Sequence, residues 1–239
     1  MRKMFLGIIG CANYARKGWH QVCRDTFLTD APKYPNLSYK FFIGDGTVLK
    51  GDDEASIQAS CGGYDRTRGI DYGVKCRTCA EVTKKEQPYV PEADEVLLPC
   101  EDDFVHLPSK LRLMIQYAHA QGFDYFFRAD SDDYIELNRL MALDVEPHDV
   151  IAHPSFGGGC GWILSRKAMA LLIKEPIGSF IDEVWAGNCF RRVGLPVHGD
   201  ERLSDFDVTK ENGIICTHCG WMAGYVPQRM YDLHRRYRG

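Results

Sequence analysis

The sequence predicts an α/β domain, and the alternation of its segments points to it, while length and composition bound its size and exclude other classes. Short apolar runs rich in β-branched and aromatic residues alternate along the chain with amphipathic segments of helical period. The 239 residues suit one large domain or at most two small ones. Hydrophobic residues make up 45% and charged residues 26%, which is ordinary for a globular protein and excludes collagen-like, disordered and disulfide-miniprotein chains. A formal net charge of -4 also excludes a polycation built to coat nucleic acid.

The elements follow in order. Residues 4–10 read as a buried strand. With Arg2 and Lys3 in front they also imitate a secretory signal, and Ile8-Ile9-Gly10-Cys11 imitates a lipoprotein cleavage box. The run is at the short limit for such a signal, so the strand is preferred, and no stretch approaches a transmembrane helix. Residues 17–28 read as a helix with Trp19, Val22, Cys23 and Phe27 on one side. A strong strand at 37–43 ends at Gly44-Asp45-Gly46. Residues 45–95 form an irregular insertion, lid or binding loop. A short strand at 95–98 precedes a helix opened by Pro108 and stopped by Gly122. Residues 124–129 are a buried-strand run, followed by a helix near 136–142 and strands at 150–153 and 162–164. Helices are expected at 166–174 and 181–193, then loops, short strands and a basic tail over 222–239.

Three segments carry chemistry. In Phe126-Phe127-Arg128-Ala129-Asp130-Ser131-Asp132-Asp133 an apolar strand emerges into three carboxylates. Hard cations such as Mg2+ and Mn2+ take oxygen ligands of this kind, and crowded carboxylates repel unless compensated. The plainer alternative is an acidic turn capping a helix. Asp182 and Glu183 open an amphipathic helix, either as a general base for an attacking hydroxyl or as an N-terminal charge preference. Gly157-Gly158-Gly159-Cys160-Gly161 permits close ligand approach or serves as a flexible loop, and no Gly-Lys-Ser/Thr closes it as a P-loop.

Taken in order, these segments resemble glycosyltransferase family 31, the β1,3-galactosyltransferase and Fringe-like group. Arg16 with Arg24-Asp25-Thr26-Phe27 is similar to its Arg-x-Thr-Trp motif, and Phe41-Phe42-Ile43-Gly44 to its Phe-Leu-Leu-Gly strand. Asp103-Phe104 followed by Leu107-Pro108-Ser109-Lys110 is similar to Asp-Phe with Asn-Leu-Thr-x-Lys. Arg128-Ala129-Asp130-Ser131-Asp132 is similar to Lys-x-Asp-Asp-Asp, and the glycine cluster through Ser165 to Gly-x-Gly-Tyr-x-Leu-Ser. Asp182-Glu183-Val184 with Gly187, Gly194 and Leu195 is similar to Glu-Asp-Val-x-x-Gly with Leu-Gly, its acidic pair in reverse order.

The resemblance implies a single GT-A catalytic domain over residues 1–239, with a central mixed β-sheet flanked by helices and a nucleotide-sugar site. It implies a metal-dependent inverting transfer from a UDP-sugar to an acceptor hydroxyl, hexosyl or pentosyl. Asp130, Asp132 and His218 would hold Mn2+ or Mg2+, with His198 in reserve for the histidine. Glu183 or Asp182 would be the base. Arg16, Asp45, Lys110, Arg128, Asp130, Gly158 and Gly159 are the nucleotide-binding candidates. The acceptor is expected to be a glycan, with a modified DNA base or a membrane-linked acceptor reached through the basic tail as alternatives. Family members of animals carry an anchor and stem. Here the catalytic pattern starts at residue 4, so the expectation is a cytoplasmic bacterial, phage or viral enzyme.

Ten cysteines include Cys76-x-x-Cys79 and Cys216-x-x-Cys219. Reduced thiols are expected, with a structural Zn2+ at the two pairs, Cys61 or Cys100 substituting, as the alternative. The tail reads as a solvated terminus. Two rival functions stand beside glycosyl transfer: a metal-dependent phosphotransferase or nuclease using Asp130, Asp132 and Asp133, and a zinc-stabilised binding module.

Overall fold

The computed structural model describes residues 2–47, 64–65, 70–71, 89–102, 106–155, 160–179, 181–204, 213–219 and 227–238. The chain forms an α/β fold around a mixed seven-stranded sheet. In chain order, β1 (Met4–Ile9) leads to α1 (Ala12–Arg16), α2 (Trp19–Asp25) and a 3-10 helix (Phe27–Lys33), and then to β2 (Leu37–Gly44). A two-residue pair, β3 (Tyr64–Asp65) with β4 (Ile70–Asp71), is what is described of the interior of the 45–95 insertion. Next come β5 (Glu95–Leu98), α3 (Leu107–Ala120), β6 (Tyr125–Asp130), β7 (Asp133–Ile135) and α4 (Leu137–Ala142). The second half holds β8 (Val150–Ala152), β9 (Trp162–Ser165), α5 (Arg166–Leu172), α6 (Asp182–Val193) and β10 (Val197–Gly199). It closes with β11 (Leu203–Ser204), β12 (Cys216–His218) and α7 (Pro227–Arg238).

The large sheet runs β10-β8-β9-β6-β1-β2-β5, and β11-β12-β7 form a smaller one. β1 pairs in parallel with β2 and β6, whereas β9 lies antiparallel to both β6 and β8. All six residues of β1 are buried, so the N-terminal apolar run is a central strand with a neighbour on each side. That position explains why its sequence is apolar throughout instead of alternating.

Each face of the sheet has its own core. On one, Phe5, Phe42 and Phe126 pack against Leu111, Met114 and Ile115 of α3 and Trp185 of α6. On the other, Leu6, Ile8, Phe41 and Phe127 pack with Val22 and Cys23 of α2 and Met230 and Leu233 of α7. Among the described residues, no helix is long and apolar enough to cross a membrane.

The C-terminal segment differs from the expected solvated tail. Residues Pro227–Arg238 are helical, with Met230 and Leu233 buried. Tyr237 stacks on Tyr134 with ring centroids 5.9 Å apart, and the Arg139 guanidinium lies 4.9 Å over the Tyr237 ring. The spacing Met230, Leu233, Tyr237 is helical, but three apolar positions among four arginines read more readily as a charged terminus.

Candidate active site

The acidic turn forms where β6 leaves the sheet. The Asp130 amide donates to Asp133 Oδ2 at 2.8 Å, which closes the turn over Ser131 and Asp132. The Ser131 amide donates to Ile9 O at 3.0 Å, and the Cys23 thiol donates to Ser131 O at 3.2 Å. These bonds anchor the turn to β1 and α2.

β7 starts at Asp133 and runs antiparallel to β12, with His218 opposite Asp133. Directly opposed residues of an antiparallel pair touch, and His218 Nδ1 lies 2.9 Å from Asp133 Oδ1. Its Nε2 lies 3.3 Å from Asp132 Oδ2, and the Cys219 amide donates to Asp132 O at 2.8 Å. Burial disfavours the imidazolium, but the Asp133 hydrogen bond and the charges of Asp133, Asp132 and Asp130 raise the His218 pKa to about 9. Burial and the neighbouring Asp133 push Asp132 up to about 6, against the opposing pull of His218.

One ligand atom each from Asp132, Asp133 and His218 lies within 4.8 Å of the others. Two carboxylates and an imidazole, with one carboxylate already forced towards protonation, are a donor set that a divalent cation fits. The expected set was Asp130, Asp132 and His218. The observed convergence has Asp133 in place of Asp130, and Asp130 Oδ2 instead accepts from Arg128 Nη1 at 2.7 Å. His198 lies on β10, three strands from β6 and so about 14 Å across the sheet at ordinary strand spacing. There it stacks on His148 with centroids 3.7 Å apart.

Arg128 joins this turn to the start of α6. Residues 128 and 130 of a strand point to the same side. From there Arg128 Nη2 reaches Asp182 Oδ2 at 3.0 Å and Glu183 Oε1 at 3.5 Å. The two neighbouring acids differ in exposure. Asp182 is 2% exposed and committed to Arg128. Glu183 lines an open cleft of about 430 Å³ with Val184, Gly187 and Arg191. Burial and the adjacent Asp182 raise the Glu183 pKa to about 8, with Arg128 opposing.

The other expected nucleotide-binding residues are distributed differently. Lys110 is 1% exposed, and its ammonium donates to Gly10 O at 2.9 Å and to Asp102. Asp102 in turn accepts from the amides of Ala12 at 2.7 Å and Gly44 at 2.9 Å. Lys110 and Arg128 are thus internal cations tying strand ends together. Each is enclosed by protein oxygens that neutralise it, which spacing along the chain does not reveal. Arg16, exposed on α1, places its guanidinium 5.6 Å over the Tyr89 ring. Asp45 is exposed and accepts from the Thr47 amide at 2.8 Å. Gly158 and Gly159 lie outside the described residues.

Two features escaped the sequence reading. Tyr14 stacks on Trp19 at 3.7 Å between centroids, close enough to the acidic turn that Asp132 and Asp130 add to the burial raising its pKa. Asp102, which joins α1, β2 and α3, was the other. An aromatic two residues after a strand-end loop was the available signal for the first. Nothing local marks the second.

All seven described cysteines carry free thiols. Cys216 is fully buried, with its sulfur within 4.8 Å of ligand atoms of Cys160 and Asp133, and Cys219 is 2% exposed. Cys61, Cys76 and Cys79 lie outside the described residues, so the four-cysteine zinc arrangement does too.

No protein-family model and no curated protein matches the sequence. Among solved structures, the chain is similar to a glycosyltransferase involved in the glycosylation of the major capsid of PBCV-1. Identity is 11%, coverage 98% of this chain and 99% of that one, and the TM-score 0.48. It is also similar to the glycosyltransferase GlyE of Streptococcus pneumoniae TIGR4, at 12% identity, 98% and 60% coverage and a TM-score of 0.46. A third is the catalytic domain of Drosophila β1,4-galactosyltransferase 7 in complex with xylobiose, at 12% identity, 83% and 65% coverage and a TM-score of 0.43. The chain therefore spans less than two thirds of the second and third of these. Such distant likenesses leave the functional question to the site itself.

Proposed function

We propose that the protein is a metal-dependent inverting glycosyltransferase of GT-A type, similar to family 31, that moves a sugar from a UDP-sugar to a glycan hydroxyl. The observation that supports this reading is the arrangement around Arg128. It joins an acidic turn suited to a cation to a carboxylate of raised pKa facing an open cleft.

Asp132, Asp133 and His218 would hold the cation, with Asp130 beside them on the same turn. His218 gives up its proton on ligation, as a coordinating imidazole must. When bound, Mn2+ or Mg2+ supplies charge compensation for the diphosphate and the departing UDP. Glu183 takes the proton of the acceptor hydroxyl. The acceptor oxygen bonds to the anomeric carbon from the face opposite the diphosphate, whose bond to that carbon breaks with UDP keeping the electron pair. Asp182 stays behind Arg128 and holds it against α6.

The test is Mn2+-dependent UDP release across a panel of UDP-sugars, with Asp132→Ala and His218→Ala alongside. The reading expects turnover with at least one donor and a loss of roughly 100-fold or more in each variant. UMP with a sugar 1-phosphate as products would instead favour attack at phosphorus, the phosphotransferase or nuclease reading. No UDP release with any donor, or wild-type rates in Asp132→Ala, would sink the reading.

A further inference from the structure

The cleft beside Glu183 has a second charged end. It follows one side of α6, where Glu183, Gly187 and Arg191 recur at four-residue spacing. At 1.5 Å rise per residue, the carboxylate and guanidinium ends stand about 12 Å apart along the axis. Gly187 between them has no side chain to fill the middle. Val184, Leu195 and Val197 give the cleft aliphatic wall, and Ser155 and Asn188 give it hydrogen-bonding groups.

The two arginines that end α6 are treated differently by the fold. Arg192 pairs with Glu175. Arg191 is exposed, donates from Nη1 to Asn188 Oδ1 at 2.8 Å, and forms no ion pair among the described residues. The Asn188 bond orients the guanidinium, and among the described residues no carboxylate pairs with it. An oriented guanidinium in a concave site recognises a carboxylate or phosphate by paired N–H donors.

We propose that this cleft takes an anionic oligosaccharide as acceptor. The reactive hydroxyl sits at Glu183, and a carboxylate or phosphate ester about two sugar units away sits on Arg191. This rests on the glycosyl-transfer reading, and it deepens that reading by naming the acceptor class.

The experiment measures binding of two matched pairs by saturation-transfer NMR titration: cellobiose with cellobiouronic acid, and lactose with lactose 1-phosphate. At least one charged member should bind roughly tenfold tighter than its neutral partner, the usual gain from a charge-assisted hydrogen bond. Which pair responds separates carboxylate from phosphate recognition. Arg191→Gln should abolish the preference and Arg191→Lys should keep part of it, with unchanged melting temperatures showing that both variants are folded. Equal affinity within both pairs, no binding of any of the four sugars, or a preference that survives in Arg191→Gln would overturn the proposal. Mn2+-dependent UDP binding is measured on the same samples. Its loss with a retained charge preference strikes the transfer reading alone. Its presence without the preference strikes only the acceptor assignment.

Discussion

Arg128 and Asp182 form a buried ion pair between the end of β6 and the first turn of α6, with Nη2 and Oδ2 3.0 Å apart and each side chain 2% exposed. The same guanidinium also meets Asp130 at 2.7 Å and Glu183 at 3.5 Å. One cation therefore compensates three carboxylates drawn from two elements. Burying charges costs solvation that is recovered only when partners are present, so such a cluster is sensitive to losing its centre.

Arg128→Met should therefore be severe. It leaves Asp130, Asp182 and Glu183 together in a low-dielectric site, and the expected cost is about 3–5 kcal/mol. Urea denaturation measures it. Adding Asp182→Asn to Arg128→Met should recover part of the loss. A double variant no more stable than the single one would contradict the pairing.

Glu183 makes the stability depend on pH. Its pKa rises from the ordinary 4.5 to about 8, chiefly through burial and then Asp182. Between those values the folded chain keeps a proton that the unfolded chain releases. The contribution to stability is thus complete below the unfolded pKa and is lost as pH rises through about 8. Glu183→Gln cannot ionise and should lose less melting temperature than wild type between roughly pH 6 and 9. Parallel curves would refute the assignment. If Glu183 is the base, turnover climbs with pH over the same window and is low throughout in the glutamine variant.

Gly10 is set by its neighbour. A Cβ there would stand 2.2 Å from His20 Nε2. His20 cannot retreat: it stacks on Phe41 with centroids 4.3 Å apart and its Nδ1 is 2.7 Å from Glu95 Oε1. Gly10→Ala should cost roughly 1–3 kcal/mol as an overpacking change, read as a lower denaturation midpoint. Combining it with His20→Ala should relieve the clash, and the two effects should not add.

The terminal helix contributes to stability. Leu233 is 3% exposed in the core that also holds Leu6 and Ile8. Leu233→Ala should lose about 2–5 kcal/mol. A negligible effect of Leu233→Ala in thermal melts would return the segment to a loosely attached tail.

Much of the architecture was legible before any coordinates. The strand at β1, the helix opened by Pro108 and the strand leading into Asp130 all carry strong local patterns, and each lies within a residue or two of its expected place. The residues around Asp130 and Glu183 stood out because acids directly after an apolar strand or opening a helix are visible in a short window. The roles of Lys110, Arg128 and Asp133 were not visible there. A lysine at the start of a helix looks the same whether it faces solvent or, as here, bonds to Gly10 O from inside the protein.

By itself the sequence determined the α/β alternation, the strand that ends in Asp130 and the acidic opening of α6. Their cause is local: side-chain period and backbone preference act over a few residues. Only the tertiary structure decided which of those acids meet. Asp133 and His218 are 85 positions apart and touch because β7 and β12 pair in one register. Arg128 and Asp182, 54 apart, touch because α6 packs its first turn against the end of β6. Charge partnership depends on distance and burial, and for these two pairs both are set by long-range contacts.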